Sequence, residues 1–202
     1  MKKPESYLTI REGSEGLFRD RGSRFIARAV HVTEKEEALR AVDDLRREYH
    51  DARHHCWAYR IGVGEGEWRV NDDGEPAGSA GNPILGQIRS FEVTDIVIVV
   101  VRYFGGTLLG VGGLINAYKT ASREALEAAV IIRKKITEKM IVRFPYERMK
   151  SVTRIIREEK LEQSDQKFEL NCSITLEMPP SKREKVTKRF SLIDDLIIES
   201  GP

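Results

Sequence analysis

Apolar positions along the chain change their period several times, and each change marks an element. The segments YLTI (7–10) and SRFIARAVHV (23–32) carry β-branched and aromatic residues at the density of strands, and the glycine-punctuated REGSEGLFRDRG between them is expected to connect them. Thr33 followed by Glu36 has the spacing of a capping box. It predicts a helix to about Tyr49, with Ala38, Ala41, Val42, Leu45 and Tyr49 on one face. HHCWAYRIG (54–62) reads as a strand and GVGEGEWRV (62–70) as a hairpin return through a glycine turn. After the loop NDDGEPAGSAGNPIL (71–85), IVIVVVRYF (96–104) is apolar without alternation, which suits a central strand covered on one or both faces. Apolar residues at 114, 118, 121, 125 and 128 then keep helical spacing to about Val130.

The remainder has its own order. ITEKMIVRF is a strand, YERMKSVTRIIREE a helix, LEQSDQ a short strand or turn, and FELNCSITLEM a strand with Phe168, Leu170, Cys172, Ile174 and Leu176 directed inward. SKREKVTKRFSLI follows as a helix and DLIIES as a strand. That is β-α-β-β-α-β, the ferredoxin-like plan. The fold class is therefore α+β, with one domain over residues 1–133, a second over 137–202, and the boundary, expected to be a short linker, near Arg133 to Ile136.

Composition narrows the class without deciding it. The longest apolar run, IVIVVV, is far short of the roughly 20 residues a membrane helix needs. MKKPESYLTIREG has no apolar stretch behind its lysines, and the two cysteines make no disulfide framework, so no secretory leader, no membrane partner and a cytoplasmic location are expected. Residues 134–202 carry 15 Lys and Arg against 12 Asp and Glu, whereas the whole chain is only +2, which directs any anionic partner toward the C-terminal part.

Three groups of residues carry candidate chemistry. In the acidic loop, Asp72, Asp73 and Glu75, with His54 or His55, form an alternative catalytic set of acids and bases, while DGEP is equally the sequence of a tight turn. The spacing does not match a calcium loop, and no metal or cofactor is expected. His54 and Cys56 share a strand face but lack a second ligand pair for zinc, and the opposite face of His55, Trp57 and Tyr59 is either core or a stacking platform. The second group follows the central strand: Arg102, Gly105, Gly106, Gly110, Gly112 and Gly113, joined by Gly78 and Ser79, make either a close-packed corner or an anion-binding surface at a helix N-terminus. Neither the dinucleotide fingerprint nor the P-loop fits, since Ile115 stands where the first requires glycine and Lys119 follows Tyr118. Third, Lys150, Arg154 and Arg157, and Lys182, Lys185 and Arg189, lie at helical spacing opposite apolar stripes, as candidate phosphate contacts for nucleic acid or as plain solvated faces.

ARHHCWAYRIG, DDGEPAGSAGNPIL and VVVRYFGGTLLGVGGLINAY together resemble the signature of the YigZ/IMPACT family. The matching positions are His54, His55, Cys56, Tyr59 and Arg60, then Asp72 to Pro76, Gly78, Gly81 and Pro83, then Arg102 to Gly106, Gly110, Gly112 and Gly113. Ala77-Gly78-Ser79 replaces a frequent Ser-Gly-Thr, and Asn82 a frequent lysine. The resemblance implies an N-terminal βα domain like that of a small-subunit ribosomal protein and domain IV of elongation factor G, with a ferredoxin-like domain like that factor's last. It further implies translation-linked work. The expectation is a protein without catalysis, with ribosomal RNA, the ribosome, another nucleic acid or a translation-related protein as partner. A small-molecule hydrolase built on the acidic loop and a protein-partner regulatory module are the competing readings. The kinase-regulating mechanism of the eukaryotic members runs through a further N-terminal domain and is not expected here.

Overall fold

The computed structural model describes residues 4–64 and 66–201. It resolves into two compact units, one of Tyr7–Lys134 and one that begins at Lys135 and includes the residues before Tyr7. The fold is α+β with antiparallel sheets.

The first unit is built on a five-stranded sheet of β2 (Ser14–Asp20), β3 (Ser23–His31), β6 (Ile96–Tyr103), β4 (His54–Ile61) and β5 (Glu67–Asn71), in that spatial order. Every neighbouring pair is antiparallel. Helices α2 (Gly81–Ser90) and α3 (Gly110–Ala128) cover one face, where Phe25, Ala27, Ala29, Cys56, Ala58, Ile96, Ile98 and Val100 are buried. On the other face α1 (Lys35–Glu48) covers Trp57, Tyr59, Val97 and Val99. Covering β6 on both faces is what its unbroken apolar run requires. A separate two-stranded sheet pairs β1 (Ser6–Ile10) with β7 (Ile131–Lys135).

Four local expectations are corrected here. REGSEGLFRDRG holds a strand, β2, because its glycine answers a packing need. A Cβ on Gly16 would lie 2.4 Å from the Ala121 carbonyl oxygen and the Ala125 nitrogen, so α3 crosses β2 backbone to backbone. The stretch from Gly81 is a helix, since Pro83 sits in the first turn, where no amide partner is lost, and Ile84, Leu85 and Ile88 supply a buried stripe. The segment expected to be a linker at Arg133 is strand β7. Finally, α1 begins one residue later than a Thr33–Glu36 box requires, and Glu37 accepts instead from the Thr33 amide (2.7 Å) and hydroxyl (3.1 Å). The glycine turn before β5 contains Glu65, which lies outside the described residues.

In the second unit β8 (Glu138–Pro145), β9 (Glu162–Lys167), β10 (Asn171–Met178) and β11 (Ile197–Ser200) are ordered β11-β8-β10-β9. A one-turn 3-10 segment, Tyr146–Arg148, leads into α4 (Met149–Glu159), and α5 (Pro180–Phe190) joins β10 to β11. This is the ferredoxin-like arrangement, with both helices packed on one sheet face over Met140, Val142, Phe144, Ile174 and Leu176. Phe168 and Leu170 are exposed rather than inward, because β10 starts only at Asn171 and they occupy the turn before it.

Candidate functional site

The acidic loop between β5 and α2 turns its carboxylates onto the protein itself. Asp72 accepts amide hydrogens from Gly78 (2.8 Å), Ala80 (3.0 Å) and Gly81 (2.8 Å), so it caps α2 from nine residues upstream of the helix's first residue. Satisfying those orphan amides beside the positive helix end is worth about 1–2 kcal/mol. Asp73, with Gly74 following at φ 86°, accepts from the His55 amide (2.7 Å) and from Arg46 (2.8 Å), while its carbonyl lies 2.8 Å from His54 Nδ1. The loop therefore ties β4 to the start of α2.

Glu75 reaches further in. Its Oε1 accepts from Arg102 Nη1 at 2.6 Å and from the Tyr118 hydroxyl at 2.7 Å, and all three residues are buried. The Tyr118 hydroxyl lies 3.3 Å from Cys56 Sγ, whose thiol donates to the Asp72 carbonyl (3.0 Å). A continuous polar chain thus runs from Arg102 on β6 through Glu75 and Tyr118 to Cys56 on β4. Burial pushes the Cys56 thiol and the Tyr118 hydroxyl well above their ordinary values, so both stay protonated and act as donors. His55 is pushed down, chiefly by burial, and its Nε2 is enclosed without a partner, so the ring is neutral.

Of the candidate catalytic set, the structure brings His54, His55, Asp72, Asp73 and Glu75 together around one loop. It commits Asp72 and Asp73 to backbone amides and Arg46, and Glu75 to Arg102 and Tyr118. His54 and Cys56 bond to different carbonyls rather than to a common centre. Among the described residues no three His, Cys, Asp or Glu side chains converge on a metal position. Trp57 and Tyr59 stack with ring centroids 5.8 Å apart beneath α1, so that face is core and not a stacking platform. Tyr59 donates to Glu67 (2.6 Å), and burial followed by that carboxylate raises it to about 12.

The proposed anion surface divides. Arg102 is neutralised by Glu75 in the interior, the Gly78 amide is taken by Asp72, and Ser79 is buried with its amide and hydroxyl both donating to Pro76. The Gly78 amide and Ser79 are taken, and Arg102, whose Nε has no partner, is buried beside its counter-charge and out of reach of an anion in solvent. Gly105 belongs to a packed corner, since a Cβ there would fall 1.9 Å from Gly22, so this one glycine of the second cluster closes on the β2–β3 turn. Gly106, Gly110 and Gly112 face open space beside exposed Phe104, Leu108, Val111 and Ile115.

The six C-terminal cations also divide. Glu159, buried on α4, accepts from Lys185 (2.9 Å) and Arg189 (2.6 Å), Lys182 donates to the Glu159 carbonyl (2.8 Å), and Arg189 also bonds Glu158. The α5 cations thus lock α5 to α4. Lys150, Arg154 and Arg157 are exposed on α4 with no carboxylate at ion-pair distance among the described residues, and they border a shallow hollow with Ser151, Thr153 and Glu158, whose carboxylate pairs with Arg189. The sequence reading missed Tyr118 as a member of the buried polar chain. The available signal was a hydroxyl set in an apolar helix stripe, which demands a partner when buried.

The fold and loop define a two-domain α+β protein whose N-terminal unit carries an acidic loop anchored by the buried Glu75 and whose second unit is ferredoxin-like. Comparison with known proteins agrees over the whole chain. A crystal structure titled only as that of a hypothetical protein superimposes with a TM-score of 0.72 at 28% identity over 99% of both chains. The model of the Impact N-terminal domain matches residues 21–126. The IMPACT family member YvyE of Bacillus subtilis is 33% identical over 92% of this chain and 84% of its own, and YigZ of Escherichia coli 45% identical over 55% and 56%. A protein named as an IMPACT homolog in Saccharomyces cerevisiae is 37% identical over 55% of this chain and 43% of its own. The chain belongs to the IMPACT family.

Proposed function

We propose that this protein is a non-enzymatic, cytoplasmic, translation-linked protein that binds ribosomal RNA through the phosphate backbone. The observation that carries the reading is the row of Lys150, Arg154 and Arg157, three exposed cations on one helix face with no carboxylate at ion-pair distance among the described residues, next to three cations that are all occupied. A row of unneutralised charge at helical spacing favours phosphates without reading bases. The occupied carboxylates of the acidic loop weigh against the hydrolase reading, because an acid–base pair needs a group free to exchange its proton with a substrate.

The test is cosedimentation with ribosomes and with purified RNA across a salt series, comparing the wild type with Lys150→Ala/Arg154→Ala/Arg157→Ala. Loss of three contacts should lower the slope of log affinity against log salt by about 2. Absence of binding at low salt would overturn the proposal, and ribosome association that survives ribonuclease would direct it to a protein partner instead.

A further inference from the structure

The tip of the β2–β3 hairpin breaks two rules of strand stability at once. Arg19 and Arg24 stand directly opposite each other in the register, where like charges repel. The two-residue turn between the strands places Arg21 at φ 44° and Gly22 at φ 78°, so an arginine occupies a left-handed position that Asn or Gly fills without strain. All three arginines are exposed. Asp20 lies in the same hollow, yet among the described residues no carboxylate comes within ion-pair distance of any of the three, and Asp51, the acid whose field reaches Arg24, accepts the Tyr103 hydroxyl (2.6 Å). Local choices that cost stability with no ion pair in return mark a site selected for something outside the chain.

The surroundings indicate what that is. The arginines line a hollow of about 500 Å³ with Ser23 and Tyr103, and the Arg24 guanidinium lies 4.5 Å from the Tyr103 ring centroid, leaving its planar group backed by an aromatic. Because α1 covers β4 and β6 but not β2, the sheet face continues into a second hollow, floored by the cross-strand pair Leu17 and Ile26 and walled by Tyr49 and by Glu15, whose carboxylate is neutralised by Arg28 at 2.5 Å. Leu17 is 46% exposed there. Cations for phosphates beside guanidinium, aromatic and aliphatic surfaces for bases are the requirements of single-stranded nucleic acid.

We propose that the open face of the β2–β3 hairpin, with Arg19, Arg21 and Arg24 as its phosphate contacts, is a binding site for single-stranded RNA. The proposal rests on the preceding reading for its ligand class alone and shares no residue with the α4 row.

The experiment is equilibrium binding of the full chain to a fluorescein-labelled oligouridine of about 12 nucleotides, within the span of small single-strand sites. Arg19→Ala/Arg24→Ala should weaken binding roughly tenfold and lower the salt slope by about 1.4, two contacts at about 0.7 each. Its melting temperature should change little, because removing the like-charge pair offsets the loss of the Arg24–Tyr103 contact. Loss of binding only in the α4 triple variant would overturn this proposal and leave the other standing, and the converse result would do the reverse. No oligouridine binding by the wild type, or inorganic polyphosphate binding as tightly with the same arginine dependence, would overturn the single-stranded RNA assignment.

Discussion

Glu75→Gln is the sharpest probe of the buried polar chain. The substitution keeps the shape of the side chain and leaves an oxygen to accept from Tyr118, but it leaves the Arg102 guanidinium in the interior without a counter-charge. The two side chains are only 4% and 7% exposed, so bulk solvent does not screen the charge that would be left behind. Breaking such a pair from one side costs about 3–5 kcal/mol. A domain's whole stability is about 5–15 kcal/mol, and each kcal/mol moves the midpoint of a unit this size by about 3–4 °C, which predicts a fall of roughly 10–20 °C. Glu75→Gln/Arg102→Met, in which no buried charge remains, should recover much of the loss. Both tryptophans, Trp57 and Trp68, belong to the unit of Tyr7–Lys134, so tryptophan fluorescence in a urea titration follows this unit apart from the other. A loss below about 1 kcal/mol for the single variant, or a double variant as unstable as the sum of its singles, would refute the reasoning.

Three further outcomes can be checked in the same titrations or by far-ultraviolet dichroism. Gly16→Ala should destabilise the first unit by about 1–3 kcal/mol or more, because its Cβ would drive apart β2 and the α3 backbone it touches, and an unchanged midpoint would contradict that crossing. His55 has its folded value held below the ordinary 6.5 by burial, so the unfolded chain binds the proton more readily. Stability due to this residue is complete above about 6.5 and declines as pH falls through the lower folded value, and measured from pH 7 to pH 5 the wild type should lose ground against His55→Asn. Glu159 has its folded value lowered below 4.5 by Lys185 and then Arg189, so its contribution is present above 4.5 and is lost as acid protonates it. Glu159→Gln should therefore flatten the acid limb of the second unit's stability, and a limb identical to the wild type's would show that the α4–α5 lock is energetically idle.

The α5 cations show how far the sequence can mislead about function while being right about structure. Helical spacing put Lys182, Lys185 and Arg189 on one polar face, and they are on one polar face. What spacing along one helix cannot reveal is that Glu159 from another helix lies against them. Reversing Lys185 and Arg189 would therefore unlock the second unit and report on folding, whereas Lys150, Arg154 and Arg157 can be changed without breaking an internal bond among the described residues.

Wherever period and propensity act within one element, the sequence determined the outcome. The unbroken run of β6, the apolar faces of α1 and α3, the alternation that separates Cys56 from Trp57 and Tyr59, and the β-α-β-β-α-β order of the second unit all follow from neighbours three, four or two residues apart. Only the tertiary structure decided the features whose cause lies elsewhere in the chain. Helix α2 is capped by Asp72 from outside the helix, strand β2 contains glycine because α3 passes over it, and Arg102 is a buried counter-ion because Glu75 returns to it across the sheet. A local pattern records what a residue does to its own backbone. Which distant group desolvates, neutralises or crowds it is set by folding, and those contacts determine whether a carboxylate or a cation is left free to meet anything else.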